Sequence, residues 1–367
     1  MSNPSTRTSA ALTDFPAGGR PLARHVRMLA WLLRGFYFGR VRVVGTQQAA
    51  FGRRLIVSSH RNGAIDGYNV LRGFPGAQGL VSIQLLRHPC LRWLFDGLVV
   101  VRDKDRALFG ALRHTFGSPI DAGCAQLRAG GNLVVFPEGS SEWGFRPLPY
   151  QRGAARIATT LLAEGRTPQV IPLGLHYREP DRFRSQVELL QGEPVELPAR
   201  SADETERAWQ GRTHEAIAAA LDEVSVNCPD PEAFASARAH AAAAADAGLS
   251  YALAFIDAQQ RLRAGQRLPP PPVTAKPHRW PWDWLAVAAF MLLAGPVLLA
   301  GWLAGCRADA RNTVSFFRMV GGLAAALPWL PCLLLASWRW PLPMLALWVL
   351  AAAGWWRWPR VMHRGNG

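Results

Sequence analysis

Between positions 54 and 195, short apolar runs recur along the chain, each bounded by polar, glycine or proline residues. The runs "RLIVSS", "GLVSI", "LVVVR", "NLVVFP", "QVIPLGL" and "QVELLQG" are rich in Val, Ile and Leu, and their length predicts β-strands. Helical patterns lie between several of them, most clearly over residues 107–129 and 153–164. Strands alternating with helices predict an α/β fold with a mixed, largely parallel sheet flanked by helices. Helices on both faces bury each strand twice, which explains why the runs are continuous rather than alternating.

Upstream, "RPLARHVRMLAWLLRGFYFGRVRVVG" places Val26, Leu29, Leu33, Phe36 and Tyr37 on one side of a helix and Arg24, Arg27 and Arg34 on another. That amphipathic pattern suits a helix lying in a membrane interface, and it equally suits a surface helix packed on a core. Residues 1–20 have no apolar centre and read as a flexible tail rather than a secretory signal. Residues 201–263 are alanine-rich and helical in propensity.

The pattern changes after "LPPPPVTAKP", a stiff linker over residues 268–279. Residues 284–305 carry no charge over 22 positions, 319–338 none over 20, and 340–356 none over 17. About 20 apolar residues are needed to cross the hydrocarbon core as a helix. The first two runs reach that length and the third begins with prolines. A C-terminal bundle of two to three transmembrane helices is therefore expected. Tryptophans near the run ends, such as Trp282, Trp302, Trp338 and Trp356, suit the headgroup level. The resulting organisation is a tail (1–20), an α/β domain with an N-terminal amphipathic helix (21–267), a proline-rich linker (268–279) and a transmembrane region (280–367). The transmembrane region (280–367) is expected to anchor the protein and do no chemistry. Arg261, Arg263, Arg267, Lys276 and Arg279 precede the first span, which predicts a domain on the cytoplasmic side.

Composition adds a partner class. The formal net charge is +15, and lysine occurs only at Lys104 and Lys276. An arginine-rich surface suits anionic headgroups, phosphorylated substrates or nucleic acid, although a genome biased toward arginine produces the same balance. No nucleic-acid-binding module is recognisable, so nucleic acid is not an expected partner. The five cysteines are scattered, with neither zinc-site spacing nor a disulfide framework, so no metal is expected.

Four stretches carry candidate chemistry. "SSHRNGAID" sets His60 six positions before Asp66, just past an apolar run. An imidazole takes a proton from a hydroxyl when an acid holds its far nitrogen, yet a histidine and an aspartate at this spacing are also common in ordinary loops. "GLVVVRDKD" ends a run at Arg102, whose planar fork suits a phosphate. "NLVVFPEGSSEW" ends a run at Glu138, with Gly139, Ser140 and Ser141 offering donors to a phosphate or oxyanion. Its Pro137-Glu138-Gly139 is also an ordinary turn sequence. "VIPLGLHY" interrupts an apolar run with Pro172, which predicts a sheet edge or a special backbone position.

In this order, the four blocks resemble the glycerolipid acyltransferase family, in the branch with five residues between the motif His and Asp. The resemblance spans residues 41–197 and includes Asn62, Phe136-Pro137-Glu138-Gly139, Ser141, Leu148-Pro149 and Gly153-Ala154-Ala155-Arg156. Ser59 stands where the family usually carries asparagine. The resemblance implies a membrane-bound O-acyltransferase of phospholipid biosynthesis. It would move a fatty acyl group from acyl-CoA or acyl carrier protein to a glycerol-phosphate hydroxyl, that of lysophosphatidate or glycerol-3-phosphate. It further implies His60 as general base, Asp66 as its orienting acid, Arg102 on the acceptor phosphate, Glu138 and Gly139 on the glycerol backbone, and Pro172 shaping the site. No cofactor is implied, because the thioester co-substrate is already activated. Another lysolipid acceptor, or a non-catalytic lipid-binding protein on the same fold, are the alternatives.

Overall fold

The computed structural model describes residues 22–45, 53–83, 89–101, 118–270, 272 and 280–362. Seven strands form one sheet: β1 (Arg40–Gly45), β2 (Arg54–Ser58), β3 (Gln78–Ser82), β4 (Leu98–Val100), β5 (Leu133–Val135), β6 (Gln169–Tyr177) and β7 (Gln186–Gln191). Their order is β1-β7-β6-β2-β5-β3-β4, with β6 and β7 antiparallel and every other neighbouring pair parallel. This is the mixed, largely parallel sheet the apolar runs predict, and each of the six runs forms a strand. β1 is an addition. Its "RVRVVG" alternates arginine with valine, as an edge strand does, and it pairs with β7.

The strands divide their side chains between two cores. Ile56, Val134 and Ile171 face one side, against α1 (Arg24–Tyr37) and α2 (Ala64–Val70). Leu55, Val57, Leu133, Val135 and Val170 face the other. There they meet α4 (Pro119–Arg128), α5 (Gly153–Ala163), α6 (Glu206–Val224), α7 (Pro231–Asp246) and α8 (Tyr251–Arg263). A short helix, α3 (Pro89–Leu94), precedes β4. Fully burying side chains of this size stabilises the fold by about 1.5–3 kcal/mol each. Local signals set the helix starts: Ser118 accepts from Ile120 N, with Pro119 in the first turn, and Asp230 accepts from Ala233 N ahead of α7. The helix read over 107–129 is described only from α4 onward, and Arg102 also lies outside the described residues.

Two sequence readings resolve here. Pro172 sits on an internal strand, not an edge. It pairs with Val57, and its carbonyl accepts from Gly192 N at 3.0 Å as β7 leaves the sheet. The β6–β7 ladder begins one residue later, at Leu173 and Gln191, so the missing N–H falls where a rung would end anyway. Helix α1 packs one face on the core. Val26, Leu29 and Ala30 are buried in the core, while Met28, Trp31 and Leu32 remain exposed, Trp31 at 65%.

Three long helices follow the linker: α9 (Pro281–Gly305), α10 (Val314–Arg339) and α11 (Pro341–Met362). The first two, of 25 and 26 residues, are long and apolar enough to cross a membrane. Small residues let the helices approach closely. A Cβ on Gly354 of α11 would lie 1.9 Å from the Ala286 carbonyl of α9. Asp283 and Arg357 pair across the same two helices. Phe290 and Trp358 both pack on Phe183, just ahead of β7, joining this bundle to the α/β domain.

Candidate active site

β6, β2 and β5 are neighbours and run parallel, so the chain leaves all three at the same sheet edge. In open α/β sheets, sites collect beyond these carboxyl ends. His60 lies two residues past β2, Glu138 three past β5, and Tyr177 ends β6. Three sequence-distant stretches thus meet at one place.

Asp66 is in the first turn of α2 and fully buried. Its Oδ2 lies 2.8 Å from His60 Nδ1 and accepts from Arg61 N at 2.6 Å and Asn62 N at 2.7 Å. Its Oδ1 accepts from Tyr177 Oη at 2.5 Å. Asn69 Nδ2 donates to the same tyrosine oxygen at 2.8 Å. The five-residue spacing is accommodated by Gly63, whose φ of 54° turns the chain into α2 so that the carboxylate folds back on the loop before it. Desolvation, and then the Asp66 charge, push the Tyr177 phenol well above its ordinary pKa, so it stays a donor.

The Asp66 contact suits the tautomer with a proton on Nδ1, which directs the Nε2 lone pair away from the carboxylate. Among the described residues nothing hydrogen-bonds that nitrogen. The ring is stacked on Phe136, with centroids 4.4 Å apart. The His60 backbone is held as well: its N–H donates to Glu138 Oε1 at 2.7 Å, and its carbonyl accepts from Glu142 N at 3.2 Å. Ser59, in the place of the usual asparagine, accepts from Leu175 N at 2.8 Å and donates its own N–H to Leu173 O. It ties the motif to β6.

Glu138, expected to bind acceptor hydroxyls, makes two backbone contacts in the structure. It is buried, and its oxygens accept from His60 N and from Leu148 N at 3.1 Å. Burial raises its pKa on balance, against the opposing pull of those two amides. The arrangement locks the β2 and β5 loops together. Gly139 and Ser140 are exposed beside it, with Gly139 at a φ of 67°. Ser141 accepts from Asn312, which lies in the turn between α9 and α10. Pro172 is set back in the sheet, next to the Leu173 carbonyl that receives Ser59 N.

Sequence reasoning missed several members. Tyr177 has a signal in retrospect: it ends an apolar strand in register with Ile171, Leu173 and Leu175, facing the Asp66 side. Arg61 has none. Its guanidinium is buried over Trp143 at 4.7 Å, and no nitrogen of it finds a hydrogen-bond acceptor among the described residues. Burial lowers its pKa, against the pull of Glu138 and Asp66. Asn312 is 171 positions from Ser141 and Ser315 is 253 from Asn62. Among the described residues, no group of three or more His, Cys, Asp or Glu side chains is arranged to hold a metal ion.

No family model matches the chain. Curated relatives do. Glycerol-3-phosphate O-acyltransferase 1 of Saccharomyces cerevisiae is 25% identical over 176 residues, covering 44% of this chain and 23% of that protein. An uncharacterized acyltransferase of Schizosaccharomyces pombe is 30% identical over 148 residues, covering 38% and 22%. The chain thus matches less than a quarter of the length of either relative. Among solved structures, the 1-acyl-sn-glycerophosphate acyltransferase of Thermotoga maritima aligns with 61% of this chain and 84% of its own, at 18% identity and a TM-score of 0.34.

Proposed function

We propose that this chain, a member of the glycerolipid acyltransferase family, transfers a fatty acyl group from a thioester to a hydroxyl of a glycerol phosphate at a membrane. His60 Nε2 takes the proton of the acceptor hydroxyl as its oxygen attacks the thioester carbonyl carbon. The carbon–sulfur bond then breaks, and the imidazolium returns the proton to the departing thiolate. No acyl-enzyme is needed. Asp66 fixes the tautomer that leaves Nε2 basic and stabilises the imidazolium while it exists. Arg102 and the Gly139–Ser141 segment bind the phosphate and glycerol of the acceptor, a role carried by the sequence resemblance. Glu138 acts through the His60 backbone.

The observation that carries this reading is the 2.8 Å contact between His60 Nδ1 and an Asp66 that is completely withdrawn from solvent. A solvated loop histidine has no use for a buried carboxylate held by two amides and a phenol. Glycerol-3-phosphate is the favoured acceptor, since the named yeast relative acts on it, with lysophosphatidate second. The two apolar helices support an integral membrane protein, and the basic residues Arg261, Arg263, Arg267, Lys276 and Arg279 ahead of the first of them favour an α/β domain on the cytoplasmic side. Purified protein supplied with labelled acyl-CoA or acyl carrier protein and a panel of acceptors tests this. Labelled acyl-glycerol phosphate is the expected product, and no transfer to any acceptor overturns the reading.

A further inference from the structure

The turn joining α9 to α10 is seated on the two loops that frame His60. Asn312 is buried and donates Nδ2 to Ser141 O at 2.8 Å and to Ser141 Oγ at 2.9 Å. Its carbonyl oxygen backs onto Gly63, 3.2 Å from where a Cβ would stand. Ser315, fully buried, lies 3.5 Å from Asn62 Nδ2 through its Oγ. Both Asn62 Nδ2 and Ser315 Oγ donate to Pro180 O. Arg311 clasps the same region through Glu179 and Asp181, at 2.8 and 2.9 Å. Asn62 and Gly63 are the residues that turn the chain between His60 and Asp66, and Ser141 precedes the Glu142 amide that holds the His60 carbonyl. A hairpin expected only to anchor therefore supplies buried polar contacts to the site.

We propose that Asn312 and Ser315 are positioning residues of the acyl-transfer site, and that the site is complete only with the membrane hairpin docked. The inference rests on the acyltransferase reading above. Asn312 sets the Ser140–Ser141 segment against the acceptor, and Ser315 steadies the turn that presents His60 to Asp66. A buried amide donating twice to one residue is a specific clamp, because a greasy contact would leave the Ser141 carbonyl unsatisfied. The hairpin couples the chemistry to the bilayer: whatever tilts α9 and α10 moves the acceptor loop.

The test uses the full chain in detergent micelles, with wild type, Asn312→Ala, Asn312→Asp and Ser315→Ala compared for both KM values, kcat and melting temperature. Losing two neutral hydrogen bonds predicts an acceptor KM raised about tenfold in Asn312→Ala. The donor KM stays at the wild-type value. Asn312→Asp keeps the volume but turns a donor into an acceptor facing a carbonyl, and it shows at least the same loss. Ser315→Ala lowers kcat with both KM values unchanged. A purely structural contact predicts instead a lower melting temperature with unchanged kinetic constants in the folded fraction, and that outcome overturns the proposal. If Asn312→Ala does not fold, amide hydrogen exchange of segment 138–148 in Asn312→Asp decides: faster exchange there with an unchanged β2 supports the clamp, and unchanged exchange overturns it. Wild type inactive toward every acceptor refutes the acyltransferase reading, not the clamp, which the exchange arm still tests.

Discussion

Tyr177 donates its hydroxyl to Asp66 Oδ1 at 2.5 Å, from the last residue of β6 into the first turn of α2. The two are 111 positions apart and both are buried. With the Arg61 and Asn62 amides on Oδ2, the carboxylate is held from two sides and meets His60 in one orientation. A dyad of this kind is rigid because the sheet, not the loop, aims its acid.

Replacing Tyr177 with phenylalanine removes a hydrogen bond to a buried charge, which costs about 1.5–3 kcal/mol. The midpoint of urea denaturation falls accordingly. Turnover falls as well while both KM values hold, because the aim of the base changes and the substrate contacts do not. Equilibrium unfolding and steady-state kinetics on the one variant check both halves. Full turnover in Tyr177→Phe would leave the tyrosine with a stabilising role alone.

His176, one residue earlier on β6, faces the opposite core. Its Nε2 donates to Val224 O at 2.7 Å, with Arg61, Glu188 and the Phe255 ring around it. Desolvation pushes its pKa down to about 4. The unfolded state then binds a proton near pH 6.5 that the folded state refuses until about pH 4. Stability contributed by this group is present above pH 6.5 and is lost as pH falls through that window. The loss reaches on the order of 3 kcal/mol, at about 1.4 kcal/mol per pH unit. His176→Gln keeps a donor to Val224 and flattens the slope between pH 6.5 and 4. Chemical denaturation at half-unit pH intervals measures it, and a slope unchanged by the substitution would place the acid sensitivity elsewhere.

Arg102 is proposed to read the acceptor phosphate. Charge-assisted hydrogen bonds contribute about 1.5–3 kcal/mol each, so Arg102→Ala raises the acceptor KM by roughly 10-fold to 100-fold. The donor KM stays constant, and Arg102→Lys recovers part of the loss because an ammonium lacks the planar fork. Both KM values measured on the alanine variant decide. An unchanged acceptor KM moves the phosphate elsewhere, with Arg152 and Arg156 next to consider.

Much of this was legible in the chain. The central strands announce themselves because they are buried on both faces and so run apolar without a break, and His60, Asp66 and Glu138 stand just past those runs. The edge strand β1 stayed hidden because "RVRVVG" follows a helix closely and has arginines at alternate positions. Pro172 read as a sheet edge or a special backbone position, and which of the two holds rests on its neighbour Gly192, where β7 leaves the sheet, visible only in three dimensions. The contacts of Glu138 with the His60 and Leu148 amides were not legible, because a carboxylate beside Pro-Glu-Gly gives no hint that two backbone amides will reach its oxygens. Asn312 and Ser315 carried no signal at all: a polar turn between two apolar helices is the ordinary reading of such a stretch, and only packing brings it to Asn62 and Ser141.

The central claim is that His60 is the base, and one rate comparison tests it most directly. Wild type and His60→Ala, matched for melting temperature, are given labelled acyl thioester and saturating glycerol-3-phosphate. Removing a general base costs about 10²–10⁴ in rate, so turnover by His60→Ala drops by that factor while the protein remains folded. His60→Ala turning over at the wild-type rate would contradict the account and leave the His60–Asp66 pair a structural feature of the β2–α2 loop.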